Sequence, residues 1–430
     1  MLKRISLAIV GTVLLAFAMI GFLYSTRSTP FRRVHAVGDP QGPPPVGDPL
    51  FRRTEELLTS MVLVPGNRIT VTTNGNETYP RLWEDLRGAR RSITLQLYYC
   101  ENGRMADTLK QVLLERARAG VRILFLHDAF GSEALAPDYL DSLRRGGVRV
   151  AVFRPVHWYA LHNAQSRSHI RVVVVDGAVG WTGGFGIADK WFGDGRHEDQ
   201  WRDTNVRFTG PVVLQLQATF VSGWAEATGE LVTGDVFFPP AAFRPEGQQL
   251  AALMHAAPTI GRTAAERFLA LSIASARTSL YITNSYFVPD EDFRRLLKNA
   301  ARHRVDVRIL TTSKETDVRT TWLAGRRSYE DLLGAGVRIY EYQPTMMHAK
   351  TLVSDGIWSS VGTMNFDNRS MVFNDESNLV ALDPALGRQL DSIFMRDLAY
   401  AEEIRLDEFR QRPWYMKLLE VGASLFSRLL

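Results

Sequence analysis

The chain has 430 residues, 45% apolar and 23% charged, the balance of a globular protein long enough for two lobes with substantial cores. Its net charge of +5 is a mild basic excess, which suits an anionic partner without choosing between lipid headgroups and nucleic acid. The single cysteine, Cys100, excludes an internal disulfide and a multi-cysteine zinc centre; in a Tyr-Tyr-Cys run it reads as a small buried hydrophobe.

Residues 1–29 read as a membrane anchor. Ile5 to Tyr24 carries no charge and follows Lys3 and Arg4. About 20 residues at ~1.5 Å each span ~30 Å, the thickness of a hydrocarbon core. Ala16-Phe-Ala18 imitates a signal-peptide cleavage site, yet it lies inside the apolar run, which favours an uncleaved anchor. Basic residues on both flanks (Lys3 and Arg4; Arg27, Arg32 and Arg33) leave its orientation open. Residues 30–58, with Pro43-Pro-Pro45, form an extended Pro/Gly-rich spacer.

Two α/β units follow, at 59–240 and 241–405, and their elements recur in one order. The strand Ala89–Tyr99 matches Ala276–Tyr286. Helical spacing of Met105, Leu109, Leu113 and Ala117 matches that of Phe293, Leu296, Leu297 and Ala300. Val121–Leu124 and Val307–Leu310 are second strands. Each unit then carries His-x-cation-x4-Asp: His169, Arg171 and Asp176, then His348, Lys350 and Asp355. On an extended segment, residues two apart share a face, so two copies could bring two histidines and two cations around one phosphate. The loop Val156–Asn163, with His157 and His162, has no counterpart and suits a lipid contact or a packed surface loop equally. At 406–430, Trp414, Leu418, Val421, Leu425 and Leu429 make a helical stripe, read equally as an interfacial helix or as one packed on the body.

With these flanks the chain resembles the bacterial cardiolipin synthases of the phospholipase D superfamily. Gly66-Asn-Arg, Tyr286-Phe-Val-Pro-Asp290, Trp201-Arg-Asp203, Asn365-Phe-Asp-Asn-Arg-Ser370 and Asn374-Asp-Glu376-Ser-Asn378 carry the resemblance from about residue 60 onward. It implies an α/β fold of two duplicated phospholipase D-like lobes, mixed sheets flanked by helices, forming one active site at their interface. It also implies a phosphatidyltransferase that joins two phosphatidylglycerol molecules through a phosphohistidine, without cofactor. Hydrolysis to phosphatidic acid, a nuclease and a non-catalytic membrane scaffold are the alternatives. The expected partners are phosphatidylglycerol or another anionic phospholipid and the bilayer of the bacterial inner membrane. Nucleic acid is not expected, since no basic, aromatic-rich platform stands outside the site. Oligomeric state is left open.

By the resemblance, His169 is the nucleophile and His348 the acid and base; the residues themselves would allow the reverse. One histidine must be neutral to attack and the other protonated to release an alcohol, states that imidazole reaches near neutrality. Arg171 and Lys350 would hold the phosphate oxygens, and a cation beside each histidine argues against a metal. Asn365 would donate to the phosphate. Glu376 would accept from His348, Asp203 would serve the first half, and Arg167 would be an extra phosphate contact. Asp176 and Asp355 belong to the catalytic motifs but read as anchors of the motif loop. Three departures from the family pattern are Arg171 for lysine, Gly186 at the position matching Asn365, and Gln96 for glutamate.

Overall fold

A computed structural model describes residues 10–19, 34, 42–155, 166–258 and 262–428. Of the expected anchor only 10–19 is described, as an exposed helix. No helix among the described residues is long and apolar enough to cross a membrane. The loop bearing His157 and His162 lies outside the described residues.

The strands of the first half are β1 (Val64–Thr73), β2 (Ser92–Leu97), β3 (Arg122–Asp128), β4 (Arg149–Phe153), β5 (Val172–Val175), β6 (Val179–Gly183) and β7 (Thr204–Thr209). Those of the second are β8 (Gln249–Ala256), β9 (Ser279–Asn284), β10 (Asp306–Thr312), β11 (Arg338–Tyr342), β12 (Lys350–Ser354), β13 (Trp358–Gly362), β14 (Glu376–Leu382) and β15 (Ala401–Ile404). All join one mixed sheet in which β4-β3-β2-β5-β6-β7-β1 has the same order as β11-β10-β9-β12-β13-β14-β8. Strand β1 meets β8 at the seam, and β15 extends the far edge.

The connections follow from strand direction. β2, β3 and β4 are parallel, as are β9, β10 and β11, and parallel neighbours need crossovers. Helices Arg104–Arg118 and Pro137–Arg145 supply them in the first half; in the second, Arg319–Arg326 with Tyr329–Leu333 join β10 to β11, and β9 reaches β10 through Glu291–Arg302. The stripe anticipated on the last is the buried one: Phe293, Leu296, Leu297 and Ala300. β5 and β12 are central and antiparallel to their neighbours, so β5 is valine throughout and buried on both faces.

Helices cover both faces of the sheet. On one, helices Val212–Thr228 and Pro384–Leu398 contribute to a core that crosses the seam, with Leu216, Phe220 and Trp224 from one half and Leu379, Leu386 and Leu390 from the other. Separate cores fill the opposite face of each half. Cys100 lies in one of them, where burial pushes its thiol up to about 12. The helix Trp414–Ser424 packs inward through Glu420 and Ala423 and leaves Trp414, Tyr415, Leu418, Leu419 and Val421 exposed, continued by Leu425 and Phe426.

Candidate active site

Each motif histidine precedes a central strand, and that strand ends in a tight turn. At Asp176-Gly177 and Asp355-Gly356 both residues have positive φ (54° and 65°; 53° and 65°), the conformation of a type I′ turn. The Asp176 carboxylate accepts from the amides of Arg90, Arg91 and Ser92 at 2.7 to 2.9 Å. Asp355 does the same for Arg277, Thr278 and Ser279. Seven residues of near-extended chain put each aspartate roughly 20 Å from its histidine. Asp176 and Asp355 are therefore removed from the catalytic set: they tie the hairpin to the start of the neighbouring strand.

The histidine ends of the two strands meet at the seam. Backbone bridges Ser168–Asp375 and Arg202–Met347 cross from one half to the other, and the His169 amide donates to Asp375 O while the His348 amide donates to Arg202 O. This crossing corrects the expected carboxylate partners. His169 Nδ1 is 3.0 Å from both Glu376 oxygens, and His348 Nδ1 is 3.0 Å from Asp203 Oδ2. Each imidazole takes its carboxylate from the opposite half, because Asp203 immediately precedes β7 and Glu376 opens β14, and the bridges Arg202–Met347 and Ser168–Asp375 hold these two strand starts beside the other half's histidine. In both rings Nε2 is the nitrogen left for chemistry.

The two pairs differ in charge balance. Glu376 is fully buried but stays below the ordinary carboxylate range, held there against desolvation by His169 and the Thr363 hydroxyl at 2.5 Å. Desolvation pushes Asp203 up to about 6, although Lys350 and hydrogen bonds from Thr204 N and Trp191 Nε1 oppose it. Burial, then the charge of Arg171, lowers His169 to about 4; burial, then Lys350, carries His348 well below its usual value. Both shifts favour the neutral imidazole at pH 7.

The cations are equally buried. Lys350 Nζ donates to Ser285 Oγ at 2.6 Å and to His348 O, and desolvation lowers it to about 7. Arg171 donates through Nε to Phe185 O and through Nη1 to His169 O, with its guanidinium 5.6 Å from the Tyr98 ring. Strand register makes Tyr98 the counterpart of Ser285: Gln96 pairs with Val172 as Thr283 pairs with Thr351. The lysine-to-arginine departure thus accompanies a serine-to-tyrosine one. Tyr98 also packs edge-on against His169, ring to ring 5.2 Å.

The remaining expectations divide. Asn365 is buried, and its Oδ1, an acceptor, has no partner among the described residues; a phosphate would have to be met by its Nδ2 donor instead. At Gly186 the space for a Cβ is already filled by the Trp191 ring, 2.9 to 3.2 Å away. That indole lies 5.1 Å from the His348 ring, so Gly186 makes room for Trp191, and an asparagine there would collide with it. Arg167 is corrected as a phosphate contact: its guanidinium is buried on Asp128 and on the carbonyls of Phe153 and Arg154. Gln96 lies beneath the site and donates to Ser168 Oγ at 2.8 Å. The motifs did not assign roles to Tyr98, Ser285, Trp191 or Thr363; Trp201, two residues before Asp203 in the Trp201-Arg-Asp203 motif, and Trp191 ten residues earlier were the available signal.

Residues 269–398 match the family described as cardiolipin synthase, PLD-like domain. A cardiolipin synthase of Geobacillus kaustophilus (strain HTA426) is 37% identical over 366 residues, covering 85% of this chain and 72% of that one. A cardiolipin synthase of Halalkalibacterium halodurans is 33% identical over 382 residues, covering 89% and 76%. In fold the chain is similar to the phosphatidylserine synthase of Haemophilus influenzae Rd KW20, with TM-score 0.68 and 12% identity over 89% of this chain and all of that one. Two His-centred motifs meeting at one seam, in a sequence this close to those relatives over most of its length, place it: the chain belongs to the cardiolipin synthase family of the phospholipase D superfamily.

Proposed function

We propose that this protein condenses two phosphatidylglycerol molecules to cardiolipin and glycerol by double displacement in a site shared by two duplicated lobes. The observation that carries the reading is the crossed pair of imidazole–carboxylate contacts with a buried cation beside each. Glu376 fixes the Nδ1–H tautomer of His169, so the Nε2 lone pair attacks phosphorus. His348 Nε2 protonates the departing glycerol oxygen. The terminal hydroxyl of a second phosphatidylglycerol then gives its proton to His348, its oxygen bonds to phosphorus, and the P–N bond breaks with its electron pair returning to His169.

Arg171, Lys350 and Asn365 face the non-bridging oxygens through both steps. A bound phosphodiester anion also raises the pKa of His348 and Lys350, which burial depresses, so substrate arrival charges the acid that releases glycerol. The reading locates the protein at the bacterial inner membrane, supported by the uncharged run Ile5–Tyr24 and the exposed apolar face from Trp414 to Phe426.

Purified protein with phosphatidylglycerol, resolved by lipid chromatography, tests it. Cardiolipin and glycerol in equal amounts are expected, with loss of more than about 10²-fold in His169→Ala and His348→Ala. Phosphatidic acid as the main product would replace transfer by hydrolysis, and unchanged lipid would sink both.

A further inference from the structure

We infer that Lys190 forms a second anion subsite, which takes the phosphate of the acceptor phospholipid and thereby favours transfer over hydrolysis. The inference rests on the transfer reading above and adds what that reading lacks, a reason for a second lipid to outcompete water. The acceptor hydroxyl of phosphatidylglycerol sits a three-carbon spacer from that lipid's own phosphate. Its approach therefore brings a second anion beside the one already held by Arg171 and Lys350, and like charges repel unless another cation stands there.

Lys190 is in the right place. It lies on the short turn Asp189–Trp191, next to the tryptophan whose ring packs on His348 and whose indole donates to Asp203. Its Nζ is 4.7 Å from the Trp201 ring centroid, and that ring is 5.1 Å from the His348 ring, so one aromatic ring separates the ammonium from the imidazole. Unlike the buried Arg171 and Lys350 it is open to solvent, with its side chain 26% exposed. It donates to the Tyr99 hydroxyl at 2.6 Å and lies 3.5 Å from the Glu101 carboxylate, so an incoming phosphate competes with Glu101 for it.

The geometry of displacement selects this side. In an in-line reaction the leaving and entering oxygens lie opposite the nucleophile. With His169 bonded to phosphorus, both pass beside His348, which is the side Lys190 occupies. The chain also holds a counterpart: Lys190 stands 21 residues after His169, and Arg369 stands 21 after His348. Lys190 is thus a specificity-determining residue rather than a second grip on the reacting phosphate. Glycerol, the first leaving group, carries no charge for it to hold.

Lys190→Gln and Lys190→Arg distinguish these roles. The full-length protein is incubated with phosphatidylglycerol in detergent, with and without ethanol, an acceptor that lacks phosphate. Glycerol, cardiolipin, phosphatidic acid and phosphatidylethanol are all quantified. In Lys190→Gln the ratio of cardiolipin to phosphatidic acid falls roughly tenfold or more, and Lys190→Arg recovers most of it. The ratio of phosphatidylethanol to phosphatidic acid does not follow. If all products fall in step, or the ethanol ratio falls with the cardiolipin ratio, Lys190 is merely structural and the subsite is lost. A wild type that makes cardiolipin with a ratio indifferent to Lys190 overturns this inference alone. A wild type that makes none overturns the transfer reading as well.

Discussion

Glu376 and Asp203 stand in the same relation to their imidazoles, yet they are tuned apart: the first is held below the ordinary carboxylate range and the second is pushed up to about 6. The His169 pair has a consequence for stability. Its imidazole titrates at about 4 in the folded protein and near ~6.5 when unfolded. Between those values the unfolded chain binds more protons, so this contribution is complete above pH ~6.5 and is lost as pH falls toward 4. Glu376, depressed as well, adds a loss of the same sign at lower pH. Urea unfolding at pH 7 and 4.5 should show a drop that shrinks by about 2 kcal/mol in His169→Gln; an unchanged drop would mean the imidazole is already charged. A second prediction concerns Arg171 and Tyr98, which differ together from Lys350 and Ser285. Arg171→Lys alone leaves the ammonium facing a phenol ring rather than a hydroxyl, and roughly tenfold lower turnover is expected. Adding Tyr98→Ser should recover part of that loss, a non-additivity that a mutant cycle measures.

Among the elements, the hairpins that follow the histidines show why an invariant spacing need not be chemical. Asp176 both adopts positive φ and gathers three amides of the neighbouring strand, and Asp355 repeats this in the other half. Asp176→Ala should cost roughly 2–3 kcal/mol in unfolding free energy while the folded fraction keeps its kcat; a large fall in kcat at full stability would return the residue to the site. The helix Trp414–Ser424 invites the opposite expectation. Its inner side is anchored by the fully buried Glu420 on Arg412 at 2.7 Å, whereas Leu418 and Leu425 are 60% and 78% exposed. Leu418→Asp with Leu425→Asp should leave the thermal midpoint within a degree or two and lower sedimentation with phosphatidylglycerol vesicles several-fold. Equal sedimentation would remove this face from the membrane contact.

At the scale of the whole molecule the seam decides the chemistry, since neither half holds a complete imidazole–carboxylate pair of its own. The Nδ1 nitrogen resonance of His169 should therefore move in Glu376→Gln and stay in Asp203→Asn; the reverse would mean pairing within each half. The sequence by itself determined the order of strands and helices, because hydrophobic periodicity and turn residues are local. It also determined which histidines and cations to watch, because a spacing of two on a strand puts them on one face. What it left open depended on distance across the seam. Asp203 and Glu376 were visible as candidates, but their exchange of partners follows from the bridges Arg202–Met347 and Ser168–Asp375 across the seam. Arg167 looked like a phosphate ligand until folding placed it on Asp128, 39 residues away. Gly186 looked like a lost donor, and only packing showed it to be the space that Trp191 fills. Spacing along a strand fixes side-chain direction, whereas charge pairing and close packing are settled by residues remote in the chain, and these the tertiary structure alone brings together.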